Sequence, residues 1–585
     1  MIQAPMHEFN ILRPSTQLPP PGPHTGPPYR PARGPQCYKF PYWRVCLLAP
    51  DVRSMVESSY SAEPAYKEVR AGTPEEYGDI TTLGGLLDAN YKLPSSREQV
   101  RRNLLSMGRG AYPGIIGFDD DVIPALDRAL LSGHDTFLIG QMGQAKTRLV
   151  RSIAENLLSP IPVIRNSATN DCPMDLPAAD LADALEGTGG SSRPVFHVSP
   201  ESLEVLRERG LETPVEWLGG ARRFRYVLAT PDTTVRDLVG SIDAVKVAKK
   251  GTEMYRIDSY SPGQLMQAKH GIFCIDELPV LDPRKQVALL SVLQEGRFTT
   301  GPYPVYFEPR TMLFATANPV DYTHSGRVIE PLLDRLASHV HTHYPPTIHD
   351  EMMIIMQEAR LPPAAVAELP LRALAGVIAG MRNSGQINQE RGVSARTGIH
   401  GLEILVSEAE RTRPTAAGAL PAPRLSDFHA LEQVAKFELT ELDDTVENRA
   451  RVFAEIMDAA VGDACLGLLE GTVDEELQLI KDEFGAGTFR SSQEMQWSGG
   501  ADPYERQMAD HPLLSKLLES RLEMALEAQA KLVADLGEHG IQAKAADIGQ
   551  DHDGLRAVLL EGLLEGLCHT KPRMLERRDA GYSPA

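Results

Sequence analysis

The stretch Gly140-Gln141-Met142-Gly143-Gln144-Ala145-Lys146-Thr147 decides the fold. It follows a β run, Thr136 to Ile139, and opens a helical run from Lys146 to Leu158, the context that a phosphate-binding loop requires. Backbone N–H groups in such a turn wrap the phosphates of a nucleotide, with Gly140 and Gly143 permitting the tight backbone. Lys146 then reaches the β and γ phosphates, Thr147 holds Mg²⁺, and Gln144 and Arg148 belong to the same site. The pattern departs from the usual one at Ala145, where a second glycine is expected. Another apolar run, Pro162 to Arg165, comes after the helix. Strand, glycine turn, helix and strand in that order predict the start of a parallel α/β sheet.

About 130 residues on, Gly271-Ile-Phe-Cys-Ile275 is an apolar strand that ends in Asp276 and Glu277. A buried strand that delivers two acids to its tip suits nucleotide hydrolysis: Asp276 binds the Mg²⁺ water shell and Glu277 polarises the attacking water. A third apolar strand, Met312 to Ala317, ends in Asn318, an amide able to hold that water opposite the γ-phosphate. Each of these is a plain strand cap when read alone. Phosphate loop, acid pair and amide, in this order at the ends of three strands, predict an ATPase.

With these motifs the sequence resembles the AAA+ ATPases, in the branch that holds the magnesium chelatase ATPase subunit and the MoxR proteins. The resemblance covers roughly Tyr112 to Arg413. Pro113-Gly-Ile-Ile116-Gly117 is similar to the family's adenine side, and an Ala-Lys pair is usual in MoxR-like loops, which accounts for Ala145. Asp232 to Asp243 is similar to the chelatase insert in helix two, and Pro262-Gly263-Gln-Leu265 matches the segment before the acid strand. Arg297 to Glu308, turning at Gly301-Pro302, reads as the branch's hairpin. Glu330-Pro-Leu-Leu-Asp334-Arg335 resembles the segment whose arginine enters the neighbouring subunit's site, and Ser394-Ala-Arg396 the lid segment whose arginine touches the γ-phosphate of its own subunit. A cation there offsets charge on the transferred phosphoryl group; a surface salt bridge is the plainer account of each. The resemblance implies ATP and Mg²⁺ as cofactors, a ring, most often a hexamer, and a partner bearing a von Willebrand A domain.

The 585 residues leave room for three or four domains, and the net charge of -20 argues against a protein that wraps nucleic acid. The six cysteines form no CxxC pair, and no apolar run is long enough to span a bilayer, which points to a soluble protein of the cytoplasm. Residues 1–54 hold about a dozen of the 45 prolines and read as a disordered tail, with Met55 as an alternative start. The expected organisation is a linker or irregular segment over 55–92, the α/β core over 93–345 with helices on both faces of its sheet, and a helical lid over 346–413. A Pro/Ala linker over 414–423 and a helical C-terminal region over 424–585 complete it. Further core strands are expected at Phe224 to Ala229 and Ala337 to His343.

Three other features have bland and sharp readings. Asp119, Asp120 and Asp121 read as a helix cap rather than a metal site. His339, His341 and His343 alternate, so they share one face of a strand, as solvated imidazoles rather than metal ligands. Asp232, Asp237 and Asp243, with Glu438, Glu441, Asp443 and Asp444, are either solvated faces or a docking surface for the partner. A DNA-acting relative of the MCM helicases is the alternative function, disfavoured because the hairpin tip Thr299 to Val305 carries no Lys or Arg. An activator of the σ54 type lacks its GAFTGA loop here, and a non-hydrolysing nucleotide-gated scaffold would not need Lys146, Glu277, Asn318 and Arg335 together.

Overall fold

A computed structural model describes residues 52–585 apart from 63–78, 188–196, 244, 246, 249–259, 296, 301–302, 307, 309, 320–326, 391, 414–419, 441–443, 486, 491–502, 539–551 and 579–580. Most of the proline-rich tail, the hairpin turn at Gly301-Pro302, most of the Pro/Ala linker, and Glu441 and Asp443 therefore lie outside the described residues. The chain divides at Pro50, and all the described elements belong to the unit Asp51–Ala585.

Five strands make the central sheet: β1 (Thr136–Ile139), β2 (Phe224–Leu228), β3 (Ile272–Asp276), β4 (Met312–Ala317) and β5 (Ser338–His341). Their spatial order is β5-β1-β4-β3-β2, and every pair is parallel. Period-two alternation sends Leu138, Ile272, Cys274, Met312, Phe314 and Val340 to one face, where they pack with helix α1 (Lys146–Leu157) and with the helices Ser96–Met107 and Val122–Leu131. Phe137, Phe273, Ile275, Leu313 and Ala315 point the other way, onto Leu289 and Val292 of Pro283–Glu295 and Leu332 of Glu330–Arg335. Burial on both faces is why β3 and β4 read as continuous apolar runs. A parallel sheet gathers all strand C-termini at one edge, so the loop after β1, the acids at the end of β3 and Asn318 after β4 share it.

Pro162 to Arg165, expected as the next parallel strand, is outside this sheet. The strand Ile161–Ile164 pairs antiparallel with Val215–Leu218, and β2 starts only at Phe224. An insertion between α1 and β2 thus carries its own helices, Ala178–Glu186 and Pro200–Arg209, and its own core. Among the described residues of 55–92, expected as a linker or irregular segment, several contribute to that core instead. Val56 of the helix Val52–Ser61 and Leu83, Leu86 and Leu87 of Leu83–Asp88 are buried against Ile164, Leu181 and Leu206. Arg53, placed in the tail by its composition, pairs with Asp183.

The lid helices Ile348–Glu358, Glu368–Asn383 and α2 (Ala395–Thr412) share one apolar core with Val446–Leu466, Pro512–Glu538 and His552–His569. Lid and C-terminal region form one helical body, not two separated by a linker. A small antiparallel sheet, Phe489–Arg490, Gly581–Pro584 and Leu575–Arg578, closes it, which a wholly helical reading lacks.

Candidate active site

The loop after β1 is held in shape by its neighbours. Gln144 Oε1 accepts from Gln141 N and from Thr342 Oγ1, both at 2.9 Å, and Tyr344 OH donates to Met142 O at 3.0 Å. Gly140 N donates to Ala317 O at 3.0 Å, which ties the start of the loop to the end of β4. Gly143 has φ +79° and Ala145 φ +51°, so the loop needs left-handed backbone at the position where alanine replaces glycine. Lys146 is buried and its ammonium donates to Gly140 O at 2.6 Å and Gln141 O at 3.0 Å. Those carbonyls hold the charge inside the loop, where phosphate oxygens are the stronger acceptors for it.

The acid pair sits beside the loop. Thr316 Oγ1 donates to Asp276 Oδ1 and accepts from Glu277 N at 3.1 Å, so one threonine of β4 fixes both acids. Glu277 takes φ +56° and ψ +48°, an unfavourable region for a side-chain-bearing residue, which lifts its carboxylate off the strand axis. Tyr226 of β2 donates to Asp276 Oδ2 at 2.6 Å. Burial and the bond to Asp276 push its phenol well above its usual range.

Loop, acids and lid enclose one cavity of about 580 Å³. Gly143, Gln144, Ala145, Lys146, Thr147 and Arg148 line one wall and Asp276 and Glu277 another. Ile115, Ile116, Phe118, Ile354 and Ile399 make an apolar end suited to a flat base. Arg396 enters from the first turn of α2, whose cap, Ser394, accepts from Arg396 N at 3.2 Å. Arg148, placed at the phosphates by its spacing, is bonded to Glu358 of the lid. Gly117, with φ +75°, packs at the joint to Pro346 and Asp350 rather than on the cavity wall. Asn318 is buried at the end of β4 but is not among the lining residues.

The residues present fit a magnesium nucleotide. A Cβ at Gly143 would run into Ser394, so the glycine lets the lid seat directly on the loop that lines the cavity. A hydroxyl and a carboxylate, Thr147 and Asp276, are the hard oxygen donors that Mg²⁺ prefers.

Arg335 is elsewhere. It lies beyond the opposite end of β1, about 13 Å of strand away from the loop, and pairs with Asp135 at 3.2 Å. Asp135 is itself buried, with Arg97 at 2.9 Å and Leu313 N donating at 2.9 Å. Within one chain, then, Arg335 is paired with a buried carboxylate rather than in a surface salt bridge. The three histidines do not share a strand face either, because β5 stops at His341. His339 packs edge-on against Phe137, whereas His343 lines the cavity, with Nε2 3.1 Å from Asp121 and its ring against Phe118. Asp121 caps the helix Val122–Leu131 as expected, and its contact with His343 adds a second role. Among the described residues no group of three or more His, Cys, Asp or Glu could hold a metal ion.

Residues 216–336 match a family model described as the AAA domain of the dynein-related subfamily. Over 208 residues the chain is 26% identical to the magnesium-chelatase subunit ChlI of Euglena gracilis, a match that covers 34% of this chain and 49% of that protein. Residues 216–336 are thus an AAA domain, and the chain is similar to AAA+ ATPases of the magnesium-chelatase type. The AAA+ match contains the acid pair, Asn318 and Arg335, while the insertion sets the phosphate loop apart from it. The chain is also 26% identical over 145 residues to the uncharacterized protein YeaC of Bacillus subtilis (strain 168), covering 25% of this chain and 42% of that one. It spans less than half the length of these two curated relatives. Among solved structures, a complex of the BchI and BchD subunits of magnesium chelatase aligns at 20% identity with a TM-score of 0.29, covering 42% of this chain and 64% of that one.

Proposed function

We propose that this AAA+ chain hydrolyses ATP with Mg²⁺ as a ring, a hexamer by resemblance, and uses the cycle to remodel a partner protein, as a chelatase motor or a MoxR-type chaperone. The observation that carries the reading is one cavity shared by the phosphate loop, the Asp276-Glu277 pair and Arg396 from the lid. Lys146 exchanges its two loop carbonyls for phosphate oxygens. Thr147 and Asp276 hold the Mg²⁺, which supplies neutralisation of phosphate charge. Glu277 takes the proton of the attacking water and Asn318, at the neighbouring strand end, orients that water. Arg396 reports the γ-phosphate to the lid of its own chain. Arg335 is too far from its own loop to serve it, which supports a role in the site of a neighbouring chain. To act there it must leave Asp135, and Arg97 remains to neutralise that carboxylate.

A partner with a von Willebrand A domain is part of this reading, as is a cytoplasmic location. Cys172, Cys274, Cys465 and Cys568 are buried free thiols, and no described helix is long and apolar enough to cross a membrane. The acidic insert offers less than its composition suggested. Asp237 caps Val235–Leu238 through Thr234 and Asp243 accepts from Ser261 at 3.0 Å, so docking there falls to Asp232 and to lid-side acids. Lys146→Ala and Glu277→Gln separate the two halves of the mechanism: the first is expected to lose ATP binding, the second to bind ATP and release no phosphate. Equal loss of binding in both variants overturns the assignment.

A further inference from the structure

Tyr226 lines the cavity beside Asp276, one of the two residues assigned to the metal. In the β2–β3 register Leu228 lies opposite Asp276 and Tyr226 opposite Cys274, so Tyr226 and Asp276 are on one face, two positions apart along the strands. A phenol is long enough to cover that offset, and its hydroxyl donates to Asp276 Oδ2 at 2.6 Å. Thr147 lines the same cavity as Tyr226 and Asp276. Since Asp276 Oδ1 is already taken by Thr316, both carboxylate oxygens are oriented by side-chain hydroxyls.

A hydroxyl has one proton and two lone pairs. The phenol gives its proton to Asp276 Oδ2, which keeps the carboxylate from swinging toward Lys146 or Arg396. With Thr316 on the other oxygen, the carboxylate is set in one orientation before any ion arrives.

We propose that Tyr226 is a positioning residue for the divalent cation, setting the Asp276 carboxylate in the orientation that the metal of a bound metal–nucleotide complex uses. The inference rests on the nucleotide-site reading above and adds a residue to it. Tyr226 does not touch phosphate or attacking water in this scheme, so its removal leaves metal-free nucleotide binding as it was. Loss of one hydrogen bond to a charged group at a partly exposed site weakens the metal by about three- to tenfold.

The test uses the full chain, the volume-conserving variant Tyr226→Phe, and Mn²⁺ as a paramagnetic probe. Bound Mn²⁺ is read by electron paramagnetic resonance during titration in the presence of ADP, and affinity for a fluorescent ADP analogue is read separately in EDTA. The expected result is weaker Mn²⁺ binding in Tyr226→Phe with unchanged affinity in EDTA. Identical Mn²⁺ titrations, or an equal loss of nucleotide affinity with and without metal, overturn the role of Tyr226. An unsubstituted chain that binds no nucleotide overturns the site reading itself, an outcome distinct from both.

Discussion

Gly143→Ala is the substitution whose effect can be worked out most fully. The new side chain would sit on a backbone with φ +79°, which is unfavourable for an L-residue by about 1–2 kcal/mol. Its Cβ would fall well inside contact distance of Ser394 Oγ and 3.1 Å from Ala395 N. Ser394 can rotate away, but its hydroxyl caps α2, and losing a cap costs about 1 kcal/mol. The backbone nitrogen cannot rotate away. If nucleotide requires the loop in this shape, the sum of about 2–3 kcal/mol weakens binding roughly 30- to 150-fold. Titration with a fluorescent ADP analogue measures it. Ser394→Ala loses the same cap without touching the backbone strain, so the double variant is expected to bind no more weakly than Gly143→Ala alone. A coupling of about 1 kcal/mol would exceed the roughly 0.5 kcal/mol scatter of independent sites. Binding of Gly143→Ala within threefold of the original chain, or losses that simply add in the double variant, would refute the close seating of lid on loop.

Two further outcomes rest on named contacts. Burial alone would lower the His343 pKa, but the Tyr344 carbonyl and Asp121 raise it above the ordinary 6.5. Its contribution to stability is therefore full below about pH 6.5 and lost as pH rises through the raised folded value. His343→Gln is expected to lower the thermal midpoint more at pH 5.5 than at pH 8, values set about either side of that transition; equal differences at both would contradict it. Asp135→Asn keeps an acceptor for Leu313 N but releases Arg335, so ATPase activity should rise at lower chain concentration, by up to about fivefold for a partly exposed ion pair. An unchanged or higher concentration threshold would show that the pair does not hold Arg335 back.

The active edge of the sheet was legible because its signals are local. Gly140 to Thr147 lies between a strand and a helix, and the acids and the amide sit at the ends of apolar runs buried on both faces. The insertion was not legible for a related reason. Ile161–Ile164 is as apolar as a central strand, and only its partner Val215–Leu218, about fifty residues on, makes it part of another sheet. The span 55–92 read as irregular because the surface that its described helices bury, around Ile164 and Leu206, belongs to that same insertion. The lid seemed to end at the prolines after Arg413, yet helix Glu368–Asn383 packs on helices that come after them. Tyr226 and His343 were missed at the site because their positions depend on strand register and strand length. Nothing within the Phe224 to Ala229 run marks Tyr226, and two residues past a strand end sufficed to turn His343 from a solvated face into the cavity.

The central claim is that hydrolysis needs two chains, one giving the loop and the other giving Arg335. Its most direct measurement is phosphate release from Lys146→Ala and Arg335→Ala chains, each alone and then mixed under conditions where mixed rings are verified by exchange of labelled chains. Each variant alone should be inactive, Arg335→Ala should still bind nucleotide, and the mixture should regain activity from interfaces that join an intact loop to an intact arginine. Verified mixed rings with no turnover would contradict the account.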